Sequence, residues 1–402
     1  MTRDIFLLFS TRIIRLFCYG FLSVILALYL IEIGLDETQI GVLFTLTLVG
    51  DAAITLWLTT SADRFGRKKT LIIGAILMAG AGLVFVVTRN YVILIIAAIL
   101  GVISPADKDI GPFLSVEQSS LTHLIPNANR TQAFAWYNLA GSFASALGAL
   151  ASGWLAQFLQ VDGHTALQAY RLILISYILG GLSLFVLFLN LSPAIEVATS
   201  LPATPLILGL HKSRPIVMKL SSLFSLDAFA GGLIVQSLIA YWFHVRFGVN
   251  EGILGSIFFA ANILAGISAL LAARIAKRFG LINTMVFTHI PSNVMLMFVP
   301  FMPTLPLAIG LFLLRFSISQ MDVPTRQSFT MAVVAPDERS AAAGVTAIAR
   351  SVGAAISPSI TGFFLAFPAW LGLPFVLSGS LKIIYDLLLY REFRAVQPPE
   401  EK

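Results

Sequence analysis

The chain has 402 residues, of which 57% are hydrophobic and only 11% charged, with a formal net charge of +6 and a mean hydropathy of +0.89. No soluble fold of this length could cover so much apolar surface, so a water-soluble globule is excluded and a polytopic membrane protein is implied. The alternating ten-residue pattern of an outer-membrane barrel is absent, which leaves α-helical spans, and the positive charge reads as membrane topology rather than as a nucleic-acid surface.

Membrane helices are predicted over 10–33, 39–60, 70–88, 91–124, 131–158, 170–190, 216–245, 252–273, 281–300, 305–333, 340–366 and 371–391, twelve spans that each suffice to cross about 30 Å of hydrocarbon. The opening MTRDIFLLFS has no small-residue cleavage site behind a short apolar core, so the first span is expected to be retained. Cys18, the sole cysteine, can form no internal disulfide and reads as packing. Arg12 and Arg15 lie toward one end of span one, where they either snorkel to the headgroups or face an interior cavity. Asp51 falls near the centre of span two. DRFGRKKT, Asp63 to Thr70, is one charged turn between spans two and three. Gly66 can supply the positive φ of a tight reversal, Asp63 can accept hydrogen bonds from a helix start, and Arg64, Arg67, Lys68 and Lys69 belong on the cytoplasmic side.

Span four is interrupted by SPADKDIGP, Ser104 to Pro112, and span ten by QMDVPTRQ, Gln320 to Gln327, with Pro324 near its middle. A proline removes a backbone donor and frees a carbonyl, which membrane proteins tolerate where a cavity or neighbouring protein satisfies it. Matched interruptions in corresponding spans point to a solute site, and structural kinks are the plainer alternative. Span five is crowded with small residues (Gly141, Ser142, Ser145, Gly148, Ser152, Gly153), as are spans eight and eleven, allowing close helix approach. Span seven carries a lone acid, Asp227, followed by Gly231-Gly232; Gln236 lies deeper than the interfacial group Tyr241, Trp242 and Phe243. In span nine His289 and Asn293 share a face, and a hydrogen-bonded core histidine is the simpler reading. Span ten adds Arg315, Asp322 and Arg326, span eleven Arg350, and span twelve Lys382 and Asp386, whose i, i+4 spacing predicts a structural ion pair. A cation facing lipid at mid-membrane costs about 2.5–3.5 kcal/mol on insertion scales, so these charges must pair or face water.

A shift of 214 residues superposes Gly34 on Gly248, Arg64-Phe65-Gly66 on Arg278-Phe279-Gly280 and Thr70 on Thr284; farther along, a shift of 209 aligns Gln118-Ser119 with Gln327-Ser328, Arg130 with Arg339 and Gly153 with Gly362. The chain therefore reads as a duplication, with six spans per half in the same orientation. The expected domains are 1–190 and 216–402, joined by a proline-bearing cytoplasmic linker over 191–215. Both termini are expected in the cytoplasm, because Lys and Arg then concentrate there, leaving Arg89, Arg171 and Arg246 outside.

The turn DRFGRKKT resembles the loop between the second and third helices of the major facilitator superfamily, Gly-x-x-x-Asp-Arg-x-Gly-Arg-Lys, with Thr59 here in place of the first glycine. The resemblance implies two pseudo-symmetric six-helix bundles, with spans one, four, seven and ten lining a central cavity, two, five, eight and eleven joining the halves, and the others forming a scaffold. Span five lacks the Gly-Pro-x-x-Gly-Gly pattern of drug/proton antiporters in that superfamily. The function expected is secondary active transport of a small solute by alternating access, coupled to protons, by a monomer in the plasma membrane without a cofactor. Substrate contacts are assigned to Asp109, Gln236, Arg315, Asp322 and Arg326, proton coupling to Asp227 and Asp51, and gating to Asp63, Arg64, Arg67 and Arg350. Asp51 and Arg350 are expected to meet, as a gate or a permanent bridge. Buried without a partner, Asp227 would suit a proton carrier. The alternatives are a passive facilitator of the same fold and a membrane enzyme using Asp107 and Asp109 as a metal–diphosphate loop, with divalent-metal binding as the discriminating measurement.

Overall fold

A computed structural model describes residues 3–106, 113–126, 130–196, 210–335 and 338–394, without the side chains of 58–65, 130–132, 135 and 340. Among these residues every regular element is a helix. In chain order they are α1 (Arg3–Glu32), α2 (Glu37–Phe65), α3 (Arg67–Val87), α4 (Tyr91–Leu100), α5 (Phe113–Leu124), α6 (Arg130–Val161), α7 (Ala166–Leu189), α8 (Arg214–Gly232), α9 (Gln236–Phe247), α10 (Glu251–Phe279), α11 (Leu281–Phe298), α12 (Leu305–Ser319), α13 (Asp322–Val333), α14 (Arg339–Leu365) and α15 (Leu373–Phe393). Eleven apolar stretches among the described residues are long enough to cross a membrane, and Tyr91–Leu100 is a shorter one. The helices pack into two compact units, Met1–Leu201 with Val235–Phe259, and Pro202–Ile234 with Ala260–Lys402.

In the first unit α1 is the central post. It runs along α6, α7 and α9, and Tyr19, Leu22, Val24, Ile25, Leu26, Tyr29 and Leu30 lose all their surface. A helix apolar on every side can be stable in this way only if neighbours enclose it. The enclosure is tight because glycines let backbones touch: a Cβ on Gly148 of α6 would collide with the Phe17 carbonyl of α1, and one on Gly20 with the Ser145 carbonyl. Gly148→Val is therefore expected to lower the melting temperature of the detergent-solubilised protein, with overpacking costing about 1–3 kcal/mol. Gly80→Val on α3 should leave it nearly unchanged, because no atom stands within 4 Å of the added Cβ.

The predicted break in span four is present. Asn90 caps α4 by accepting from Val92 N and Ile93 N, the helix stops at Gly101, and α5 starts only at Phe113. The carbonyl of Pro105 accepts both the backbone N–H of Ser237 at 3.0 Å and its hydroxyl at 2.8 Å, so α9 satisfies part of the broken segment. The charged turn also follows its predicted geometry: Gly66 has φ 97° and its repeat Gly280 has 84°, while Gly34 and Gly248, equated by the same shift, have 101° and 63°. Glu196 holds the start of α3, accepting from Arg67 N at 2.7 Å and Lys68 N at 3.1 Å, where an acid faces the positive end of the helix. That task was assigned to Asp63, whose side chain lies outside the described residues.

In the second unit α8 lies along α14, and α11 along α15. Gly353 abuts the Ser225 carbonyl and Gly232 the Ala354 carbonyl, so α8 and α14 approach as closely as α1 and α6. Span seven is also broken, after Gly231-Gly232, a discontinuity not predicted although the glycine pair signals it. The carbonyls freed there accept from Thr361 Oγ1 (at Leu233) and Ser378 Oγ (at Ala230), both at 2.7 Å. Span ten breaks at Gln320, earlier than the position of Pro324 suggested; Pro324 is the third residue of α13, where a backbone donor has no helical partner to lose.

Glu338 ties the start of α8 as Glu196 ties α3. Its carboxylate accepts from the backbone N–H of His211 and Lys212 at 2.7 Å and of Ser213 at 2.8 Å. Burial pushes its pKa up, but hydrogen bonds from the Ser213 side chain and these backbone donors outweigh that and bring it from 4.5 to about 2. A depressed carboxylate pKa contributes stability that is present above 4.5 and is lost as pH falls through 2. Glu338→Gln should accordingly flatten the stability profile between those pH values, as followed by thermal unfolding across an acid titration.

Candidate functional site

Most of the described charges predicted inside the membrane fall into two buried networks, one in each unit. In the first, Glu117 of α5 and Arg15 of α1 are both wholly buried and form a two-pronged pair at 2.7 and 2.8 Å. Thr11 Oγ1 donates to the same carboxylate at 2.9 Å, the Tyr137 hydroxyl donates to its other oxygen, and the Arg15 guanidinium stacks over Phe113. Arg12 packs over the Tyr137 ring and donates to the Tyr137 carbonyl at 2.9 Å, in space left by Gly141. Both arginines are therefore interior groups, and the snorkelling alternative is set aside. Farther along α1, Ser23 Oγ accepts from Gln236 Nε2 at 2.8 Å, so this predicted substrate residue sits on α9 in the first unit with its amide engaged.

The second network is centred on Asp227 of α8, which is 4% exposed at the side chain. Its Oδ1 accepts from Lys382 Nζ of α15 at 2.6 Å, and its Oδ2 from Arg350 of α14 at 2.9 Å and Arg326 of α13 at 3.1 Å. The expectation of an unpartnered acid is thus corrected: no cation comes from its own helix, but three neighbouring helices supply one each. The i, i+4 pairing of Lys382 with Asp386 is corrected too, because Lys382 turns to Asp227 while Asp386 meets His289 Nδ1 at 2.9 Å. His289 is accordingly a buried, hydrogen-bonded residue, as its simpler reading had it. The pairing expected from spacing does hold for Asp322 and Arg326, at 2.8 Å. The helix break places Asp322 in the first turn of α13, where the helix dipole favours an acid.

A cavity of about 390 Å³ lies against this network, lined by Arg326, Arg350, Phe224, Gln327, Thr330 and Ser351 among others. Arg326 stacks over Phe224 and is only 8% exposed at the side chain, whereas Arg350 is 33% exposed. Arg315 is also buried, and its Nε has no hydrogen-bond partner among the described residues. The structure thus brings Arg326, Asp322, Asp227 and Arg350 together in one unit, although the sequence reading gave them three different tasks. Asp51 lies on α2, half-buried, accepting from Thr55 at 3.2 Å; Arg350 finds its partner Asp227 inside its own unit. Arg67 is buried, with Nη1 donating to the Ile195 carbonyl at 3.2 Å. Asp107 and Asp109 lie outside the described residues, and for Asp63 and Arg64 only the helical backbone of α2 is described.

Sequence reasoning did not single out Glu117, Tyr137 or Lys382 as the partners that organise these networks, nor Glu196 and Glu338 as the acids at the starts of α3 and α8. A signal existed for Glu117: the shift of 209 that equates Gln118 with Gln327 also equates Glu117 with Arg326. Each unit thus carries a buried ion pair between two of its helices, Arg15–Glu117 between α1 and α5 and Asp227–Arg326 between α8 and α13, with the signs exchanged.

Residues 8–358 match the profile of the Major Facilitator Superfamily. A Saccharomyces cerevisiae protein, "Uncharacterized membrane protein YJR124C", is 31% identical over 433 aligned positions that cover 100% of this chain and 96% of the yeast protein. Among solved structures, the nucleoside transporter NupG superposes with a TM-score of 0.73 at 13% identity, covering 98% of this chain and 100% of NupG. A bacterial homologue of the iron transporter ferroportin, in an inward-facing state, gives 0.74 at 14% identity over 97% and 98% of the two chains. A D-xylose-proton symporter gives 0.70 at 15% identity over 99% and 98%. At these identities the likeness to the solved structures is one of fold.

Proposed function

The chain belongs to the Major Facilitator Superfamily, and from that premise we propose that it moves a small solute across a membrane by alternating access, coupled to protons. The observation that carries this reading is the cavity beside Asp227 and its three cations, with two arginines in its mixed polar and apolar wall. Buried charge of this kind is costly and marks solute or ion paths in membrane proteins. The broken spans support it, since interrupted helices offer backbone groups to a solute near mid-membrane. In this reading Arg326, Asp322 and Arg315 contribute to solute binding, and Asp109 and Gln236 are kept as further candidate solute contacts. Asp51 and the His289–Asp386 pair are the candidates for carrying the proton, Asp227 joining them only in a state that parts it from its three cations, and Arg350, Arg67, Asp63 and Arg64 are the candidates for gating. The proposal includes a two-bundle chain divided by a linker at 191–215, a monomer, and a plasma-membrane site with both termini in the cytoplasm.

The test is reconstitution into proteoliposomes, with a solute first identified by thermal shift against a metabolite library. Saturable uptake that an imposed pH gradient accelerates and drives uphill is the expected result. Saturable uptake indifferent to the gradient would establish the passive facilitator instead, and absence of saturable flux would sink transport altogether. The enzyme alternative rested on Asp107 and Asp109, and family membership favours transport over it.

A further inference from the structure

We propose that the cavity of the second unit receives a small organic anion, with Arg350 as the group that grips it. This rests on the transporter reading and names the solute class that reading leaves open. Four cationic side chains, Arg315, Arg326, Arg350 and Lys382, sit in this region against three carboxylates, Asp227, Asp322 and Asp386, the last already joined to His289. The imbalance falls on the cavity wall: Arg326 and Arg350 line it, and among the described residues no acid does. Asp227 and Asp322 lie behind them, 4% and 6% exposed at the side chain. A cationic solute entering this space would meet two guanidinium groups before any carboxylate.

Asp227 is also oversubscribed. Its Oδ2 serves both Arg326 and Arg350, and Arg350 reaches it through Nη1 alone. A guanidinium has five N–H donors in a fixed fork, so Arg350 retains donors for a second anion, and as the more exposed of the two it is the one a solute can reach. Carboxylate, sulfonate and phosphate groups match the fork in two-pronged fashion. Gln327, Thr330 and Ser351 add neutral hydrogen-bonding groups, while Phe224 and Met331 supply apolar wall, so the anionic head should carry a small apolar body. A cavity of about 390 Å³ is at the small end of ligand sites.

Benzenesulfonate and phthalate serve as anionic probes, benzenesulfonamide as their neutral counterpart and benzyltrimethylammonium as the cation. Thermal shift and calorimetry on the purified full chain, at matched ionic strength, should show either anion binding at least tenfold tighter than both controls. Arg350→Gln should weaken that binding at least tenfold, and Arg350→Lys less so. Equal binding of anion and neutral probe, preference for the cation, binding of neither anion, or undiminished affinity in Arg350→Gln would each overturn the proposal. The comparison of probes on the unaltered protein decides it even if the variants fold poorly. Proteoliposome uptake of the bound anion is a separate measurement: Arg350-dependent binding without saturable flux would uphold the anion site while removing transport.

Discussion

Asp227→Asn is expected to reduce saturable transport to background and to lower the stability of the purified protein. The substitution keeps the shape and takes away the carboxylate that Lys382, Arg350 and Arg326 share. Breaking a buried ion pair by removing one partner costs about 3–5 kcal/mol, because the other charge is left uncompensated, and here Lys382 and Arg350 would lose their acid while Arg326 keeps Asp322. Removing a cation together with the acid should recover part of the loss, so Asp227→Asn combined with Lys382→Gln is expected to be more stable than Asp227→Asn alone. Thermal unfolding monitored by size-exclusion chromatography would read this coupling directly. Strict additivity, or a single variant as stable as the parent, would show that the cluster contributes little.

The second large effect is expected at Glu117→Gln. That carboxylate takes two bonds from Arg15, one from Thr11 and one from Tyr137, all without access to water. An amide can accept at one atom only, so Arg15 would lose one prong and either the Thr11 or the Tyr137 hydroxyl would also face an NH₂ donor. The cost should again be about 3–5 kcal/mol, visible as reduced membrane expression and a lowered melting temperature. Glu117→Asp, which keeps the charge on a shorter stem, is expected to fall between the parent and Glu117→Gln. If Glu117→Gln unfolds at the temperature of the parent, the pair does not hold α1 to α5.

Much of the fold was legible because its determinants are local. Apolar length sets the spans, and the charged turn announced a reversal that Gly66 and Gly280 both execute at positive φ. The breaks in spans four and ten were visible from prolines, while the one in span seven was passed over because Gly231-Gly232 is weaker punctuation than a proline. The site was legible in membership more than in pairing. Asp227, Asp322, Arg315, Arg326 and Arg350 were all singled out, since a charge inside an apolar helix stands out on its own. Their partners depend on which helices become neighbours, and spacing along one helix reports on that only for a pair such as Asp322 and Arg326. For Lys382, equally spaced from Asp386, a carboxylate on α8 proved nearer, and helical periodicity carries no information about such a competitor.

The exchange of signs between the two buried pairs bears on how a duplicated chain finds its own partners during insertion. Two similar halves of one polypeptide offer each helix a near-copy of its proper neighbour as a competing docking site. Were α8 to settle beside α5 in place of α1, Asp227 would confront Glu117, acid against acid; were α1 to settle beside α13, Arg15 would confront Arg326. Each mistaken exchange sets like charges together in a low-dielectric interior, where repulsion is scarcely screened. Polarity thus works as a label that distinguishes one repeat from the other, and aligning the signs, for instance by Arg15→Asp with Glu117→Arg, would erase it while keeping each pair matched.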